Sequence, residues 1–448
     1  MSLSRRTVTS LITTSGRQLE DWTADYRLFS MGRFDPEGLF DGVRNAILND
    51  LGPDQPLVVA MDDTISRKKG RKVPGTSWRR DPLSPPFHPN FVWGRRFIQL
   101  SAFMPPRRDD APGRAIPVDF VHAPTPCKPR AGAGSDAWTR FRHASRAQSL
   151  SRQGVARIQR LREKMTRDGA HDRPLLVAVD GSYTNGTVLK NLPGQTTIVG
   201  RIRRDARLHP RPTPEEMKGR GRTRRYGLSV VTPEGVRQDQ EIEWQTVPIY
   251  AAGKIHEMRY KTVGPLLWRS AGADLPLRLI VIAPLAYRLS KKSKILYRYP
   301  AFLICTDPDL SVESVLKAYV SRWDIEVNFR DEKQLIGFDE AQVRTPNSAR
   351  NAPALAVAAY ALLLLAASRA FGVNGLPSAI PPPKWRNPRA KPRASTADLM
   401  NHLRFELWGK AIAATNFSHF VNHSTPPTTR EKHLPNLATT LFYAQQRA

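Results

Sequence analysis

Two stretches set the frame for this chain. Pro56-Leu57-Val58-Val59-Ala60-Met61 closes on Asp62-Asp63-Thr64, and Leu175-Leu176-Val177-Ala178-Val179 closes on Asp180-Gly181-Ser182. Each is a short, unbroken apolar run bounded by turn residues, the pattern of a strand buried on both faces. Each ends on a carboxylate. Ligands of open α/β sheets bind at the strand ends, so two such carboxylates are placed to meet at one edge. Asp is also common in the turn after a strand, and for either residue alone that plainer reading competes. Asp62 and Asp63 are successive residues of a strand and point to opposite faces, so one of them serves any shared site.

Outward from these strands, periodicity predicts helices over residues 1 to about 50, with Leu11, Leu19, Trp22, Tyr26, Leu28 and Phe29 at helical spacing and a second run from Leu39 to Leu51. Further strands are expected at Arg95–Phe103, Ile116–His122, Thr196–Arg203 and Ala301–Cys305, and a helix between Ala147 and Thr166. Residues 204 to about 299 read as a β-rich insertion with basic loops, its strands at Gly227–Thr232, Ile242–Tyr250 and Arg278–Ala283. A helix from about Ser311 to Gln334 follows, then an Ala/Leu helix from 352. Next come a Pro-rich basic linker (376–394) and a last helix N-capped by Ser395 or Thr396.

The helix Tyr319–Lys333 reads YVSRWDIEVNFRDEK. At about 100° per residue, Tyr319, Arg322, Glu326 and Lys333 fall within an arc of roughly 60° and make one polar stripe. Leu316, Val320, Trp323 and Val327 form an apolar stripe expected to dock the helix on the sheet, while Asp324, Asp331 and Glu332 are expected to face solvent. An ordinary i,i+4 ion pair between Arg322 and Glu326 is the competing explanation of the stripe.

Composition narrows the partners. The chain has 448 residues, with 69 Lys+Arg against 40 Asp+Glu, a formal charge of +29. Such a charge self-repels unless a polyanion neutralises it. Residues 64 to 80 carry Arg67, Lys68, Lys69, Arg71, Lys72, Arg79 and Arg80 with no acid. Basic clusters recur at 201–225, 288–298 and 376–394. One such run is usually a solvated face; four point to a phosphate backbone. Two cysteines, Cys127 and Cys305, make neither a disulfide framework nor a Cys-based zinc site. His419 and His423 are i,i+4 but lack the Glu of HExxH. No phosphate-binding GxxxxGK[ST] and no strand-led GxGxxG supports ATP or a dinucleotide. The apolar run 352–367 is 16 residues, short of the roughly 20 that span a bilayer, and is expected to be a buried helix. No membrane and no secretory signal are expected.

Taken together, the strand-end Asp–x–Thr of Asp62-Asp63-Thr64, the motif Asp180-Gly181-Ser182-Tyr183 and the Tyr–x2–Arg–x3–Glu–x6–Lys spacing of Tyr319, Arg322, Glu326 and Lys333 resemble the DDE transposases of bacterial insertion sequences. The resemblance spans roughly residues 55 to 372, and the Tyr-Arg-Glu-Lys spacing is its specific part. It implies an α/β fold, an RNase H-like mixed sheet flanked by helices and interrupted by the β-rich insertion, with a helical N-terminal region and a basic C-terminal tail. The expected division is a DNA-binding region at 1–52, a catalytic domain at 53–204 and 300–372, the insertion at 205–299, and a tail at 373–448.

The resemblance further implies that Asp62 (with Asp63 as the fallback), Asp180 and Glu326 hold two Mg²⁺ or Mn²⁺ ions, as suits an all-oxygen donor set. It implies cleavage at terminal inverted repeats and joining to a target, by in-line displacement at phosphorus. Tyr319, Arg322 and Lys333 are expected to hold a DNA phosphate, and Arg67, Lys68 and Lys69 further backbone. Some members of the family form a DNA hairpin and stack a flipped base on an insertion-domain Trp; Trp244 and Trp268 lie in that region here. The expected partners are double-stranded DNA (element ends and target) and a second copy in the DNA complex, in a bacterial cytoplasm at the nucleoid. Competing readings are an idle, transposase-derived DNA-binding protein, a metal-dependent nuclease without strand transfer, and an RNA-binding protein. The last explains the charge but not the acidic residues.

Overall fold

The first apolar run forms β1 (Leu57–Arg67), an interior strand of the main sheet. The computed structural model describes residues 2–414, apart from 4, 82–83, 86, 107, 109, 219–221, 290–292 and 376–392. His419, His423 and most of the Pro-rich linker lie outside the described residues. Ahead of β1 come α1 (Val8–Thr14), α2 (Thr23–Ser30) and α3 (Asp41–Asp50). After it come β2 (Ser77–Arg80), β3 (Phe91–Met104), β4 (Arg114–His122), α4 (Ser135–Ala147), α5 (Leu150–Arg167), β5 (Leu175–Val179), the short α6 (Gly186–Leu189) and β6 (Thr196–Arg201).

The insertion holds β7 (Leu208–His209), α7 (Pro214–Met217), α8 (Pro233–Gln238), β8 (Gln245–Ala251), β9 (Lys254–Trp268), β10 (Gly272–Ile282) and a two-residue ladder of β11 (Ala286–Tyr287) with β12 (Leu296–Tyr297). The chain then returns as β13 (Ala301–Cys305), α9 (Val312–Ser321), α10 (Trp323–Asp331), one π-helical turn (Glu332–Ile336), α11 (Pro346–Phe371) and α12 (Thr396–Ala414).

One mixed sheet runs through all of this. β1 lies antiparallel to β3 and parallel to β5, and β5 is parallel to β6, while β4 and β2 both pair with β3. This is the RNase H-like arrangement. The insertion's strands extend the same sheet: β13 pairs antiparallel with β6, β10 with β13, and β9 with β10. Gly227–Thr232, expected as a strand, makes only a bridge at Val231, because Thr232 caps α8 with Pro233 in its first turn.

Strand alternation sorts the core. Leu57, Val59, Met61, Leu175, Val177 and Val179 pack on the α5 side with Ile158, Leu161 and Met165. Leu176 and Val199 pack on the other side with Val315, Leu316 and Ala318 of α9. Ala60 takes Ile325 and Phe329 of α10 on that same second side. The period of two therefore turns Asp62 toward α9 and α10, and Asp63 toward α5. By length and composition alone α11 could cross a membrane; here its Val357, Ala361 and Leu364 are buried in the core.

The helix carrying Tyr319–Lys333 docks differently from the expectation. Ile325, Asn328 and Phe329 are buried, whereas Trp323 is 62% exposed. Asp331 and Glu332, expected at the surface, are buried. The cause is tertiary: α11 and the N-terminus of α12 cover this face. Asn328 Nδ2 donates to Ala115 O and Tyr360 Oη, and Thr396 Oγ1 donates to Asp331 Oδ2 at 2.7 Å.

Candidate active site

The parallel register aligns Met61 with Val179, so the next residue on each strand, Asp62 and Asp180, end side by side. Neighbouring strands are about 4.8 Å apart. Burial, reinforced by the charge of Asp180, raises the Asp62 carboxyl to about 7, with Arg322 opposing. Asp180 accepts from the Ser182 amide (2.9 Å) and hydroxyl (3.1 Å), a turn that fixes its carboxylate at the strand end.

Arg322 supplies the link to the helix. One guanidinium nitrogen donates to Asp62 Oδ2 at 3.0 Å and the other to Glu326 Oε1 at 3.2 Å. The i,i+4 ion pair weighed from sequence is therefore present, and it has a third member, the strand-end Asp. The Tyr319 ring lies 5.9 Å from the same guanidinium, and burial raises its phenol above the usual range.

Asp63 faces the other way. It accepts from Tyr183 Oη at 3.3 Å and pairs with Arg96 at 3.2 Å. Burial raises its carboxyl too, with Arg96 opposing. Tyr183, Arg96 and the exposed Arg201, whose charge acts on Tyr319, were not assigned roles from sequence. Tyr183 was visible as the fourth residue of Asp180-Gly181-Ser182-Tyr183; the other two carried no signal beyond being basic.

Lys333 stands apart from this group. It lies on the π-helical turn, exposed, seven residues or about 10 Å along the helix from Glu326. The π turn departs from the 100° spacing that put Lys333 on the stripe. It ends at Gly337, whose φ of +66° suits glycine and where a Cβ would press on Glu340.

The three cations expected to bind DNA from β1 and its following loop separate in the structure. Arg67 is exposed and pairs with Asp81 at 2.7 Å, and Lys69 is exposed. Lys68 is tucked in. Its ammonium pairs with Asp339 Oδ2 at 3.0 Å and also reaches the Asp339 carbonyl, and the fully buried Arg95 shares Asp339. Burial, with Arg95 and Arg5 nearby, pulls Lys68 down to about 7. Lys68 thus braces β1 against the segment leading into α11.

A cleft of about 940 Å³ opens beside the Asp180 turn, lined by Gly181, Thr184, Arg201, Arg204, Trp268 and Tyr299 among others. Trp268 is therefore on the wall of a cavity that begins at Gly181, the residue after Asp180. Trp244 instead lies beneath Arg259 and Lys261, at 5.4 and 4.8 Å from its ring centre.

The donors suit a hard divalent cation, being carboxylate oxygens only; burial is the main reason the Asp62 carboxyl is raised, and a cation would relieve the repulsion from Asp180 that adds to it. Among the described residues, however, no three Asp, Glu, His or Cys side chains close into a ligand cage. Arg322 occupies the space between Asp62 and Glu326.

The site thus joins an RNase H-like sheet, two adjacent strand-end carboxylates and a third acid on the covering helix. The model of the DDE superfamily endonucleases matches residues 1–271, and the chain belongs to that family. The matched residues include Asp62 and Asp180; Glu326 lies beyond them. The family acts as transposase-like nucleases on DNA and generally uses divalent metal ions. No curated protein matches the chain.

Proposed function

We propose that this chain is the transposase of a bacterial insertion sequence of the Tyr-Arg-Glu-Lys group. It cuts DNA at the element's terminal inverted repeats and joins the freed ends to a target. The observation that supports this best is the Arg322 guanidinium spanning Asp62 and Glu326, which unites the strand-end acid with the helix spacing. Asp62 and Asp180 would hold Mg²⁺ or Mn²⁺, with Glu326 joining them once Arg322 lets go. Bound ions would activate the attacking oxygen and stabilise the leaving one.

Arg322 then has two partners to choose between. Without DNA it neutralises Asp62 and Glu326. With DNA, a phosphate offers the same guanidinium a bidentate acceptor and frees both carboxylates. Tyr319 holds the guanidinium from behind, and Lys333, Arg67 and Lys69 reach phosphates further along. Should the reaction pass through a hairpin, Trp268 is the insertion tryptophan whose cavity a flipped base could enter. Assembly of two copies on the paired ends and a place at the bacterial nucleoid belong to the same proposal, as do the domain limits at residues 52, 204, 299 and 372. A nuclease that cuts without joining uses the same residues and is the second reading.

The test is purified protein with Mg²⁺ and linear DNA carrying the element's ends. Glu326→Gln and Asp180→Asn are expected to lower cleavage at least a hundredfold while DNA affinity stays near wild type. Equal cleavage by wild type and Glu326→Gln refutes the assignment. Cleavage without any joined product favours the nuclease.

A further inference from the structure

β1 continues five residues past Asp62, and the first four residues of β3, Phe91 to Gly94, pair with β2 instead of β4. The register is Trp78 opposite Trp93 and Arg80 opposite Phe91. Directly opposed residues share a face, and so do residues two apart. Trp78, Arg80, Phe91 and Trp93 therefore form one plank on the projecting end of the sheet. Trp78 is 64% exposed and Phe91 62%. The two indoles meet edge to face with centres 5.6 Å apart, and Trp93 Nε1 donates to Gly70 O at 3.2 Å, fixing the inner ring. Large aromatic surface left in water on an edge strand is costly to solubility and marks an interaction site.

The surroundings of the plank choose its occupant. Lys69, Arg71, Lys72 and Arg80 are exposed, and among the described residues none of them pairs with a carboxylate; the nearby Asp81 is neutralised by Arg67. A second copy of the same patch would set these cations against their own kind. A polyanion with flat apolar rings meets both demands. Bases within a duplex are already stacked on one another, so only unpaired bases can use the indole and phenyl faces.

We propose that the end of the sheet formed by β2 and the first four residues of β3 is a binding arm for unpaired DNA. Bases stack on Trp78 and Phe91, while Lys69, Arg71, Lys72 and Arg80 take the flanking phosphates. This rests on the chain's being a DNA enzyme. By alternation, the plank lies on the same sheet face as Asp62, Thr64, Ser66 and Lys68, with Trp93 beside Lys68. At about 3.4 Å per residue the plank starts about 20 Å from Asp62. That is the length of about six stacked base pairs. The arm therefore selects DNA that is opened a short way from the point of cleavage, such as a frayed end or a distorted target.

The experiment measures full-length protein binding, without divalent ions, to a fully paired duplex and to the same duplex carrying a central unpaired bubble. Wild type is expected to bind the bubble about tenfold tighter, in line with stacking of one base on an aromatic. Trp78→Ala and Phe91→Ala are expected to abolish that preference and leave duplex affinity unchanged, with Trp78→Phe retaining it. Replacing Lys69, Arg71 and Lys72 by Gln is expected to weaken both DNAs alike. Equal wild-type affinity for bubble and duplex overturns the proposal, as does a preference that survives Trp78→Ala. So does a loss of dimer mass in Trp78→Ala, which would make the plank a self-association surface. Failure of wild type to bind either DNA would instead overturn the assignment as a DNA enzyme.

Discussion

Replacing Glu332 by Gln should stabilise this protein, and only above mildly acidic pH. Glu332 is completely buried at the start of the π-helical turn. Neither carboxyl oxygen receives a well-aligned hydrogen bond; the Gln99 side chain lies beside them, its amide donating to Ser101 and its Oε1 without a partner. Burial raises the Glu332 carboxyl from 4.5 to about 8, with Asp331 adding to the rise and Gln99 and Lys333 opposing it. Below pH 4.5 the folded and unfolded chains both carry the proton, and burial of the group has no ionisation cost. As pH rises the unfolded chain releases the proton first, so stability falls by about 1.4 kcal/mol per pH unit until the folded pKa is passed. Between 4.5 and 7 the loss is about 3 kcal/mol, a large share of a typical folding free energy. Gln is isosteric, carries no proton to lose, and can donate to Gln99 Oε1. Urea unfolding of wild type and Glu332→Gln at pH 4.5 and pH 7 reads this directly. Near-equal stability at pH 4.5 and an advantage of about 3 kcal/mol for the variant at pH 7 are expected. Parallel pH dependences, or a variant less stable at pH 7, would refute the account of Glu332 as a buried acid held protonated by its surroundings.

Two further perturbations address the packing that positions the site. Thr396→Val removes the donor to the buried Asp331 and should cost about 1–3 kcal/mol by thermal or urea unfolding, whereas Ser395→Ala at the more exposed cap should cost less. Gly94→Ala would bring a Cβ within 2.5 Å of Ser66 O, across the β1–β3 pair. It should destabilise by about 1–3 kcal/mol, while Gly32→Ala, with open space around it, should leave the unfolding midpoint unchanged.

Much of the site could be read in the sequence because it rests on local chemistry. The apolar runs ending at Asp62 and Asp180 declare buried strands, and a parallel pair of strands brings their ends level. The spacing of Arg322 and Glu326 fixes their ion pair through helix geometry alone. Other features depend on what covers each element. The face of α10 that docks is set by α11 and by Thr396 of α12, and those partners bury Asp331 and Glu332 while leaving Trp323 in water. Lys68 looks like any member of a cationic run until Asp339 arrives beside it from 271 residues later.

The sequence by itself therefore determined the sheet's central strands, the acids at their ends, the charged helix and an overall charge suited to DNA. All of these follow from periodicity and residue type within a short window. The resemblance already favoured Asp62 over Asp63; tertiary structure supplied the physical reason that Asp62 meets Arg322, because which face of a strand is covered by α10 is a property of packing. It alone showed the insertion joining the main sheet, the π turn beneath Lys333, and aromatic rings gathered on the arm. These depend on contacts between residues distant in sequence, whose pairing energies no local pattern encodes.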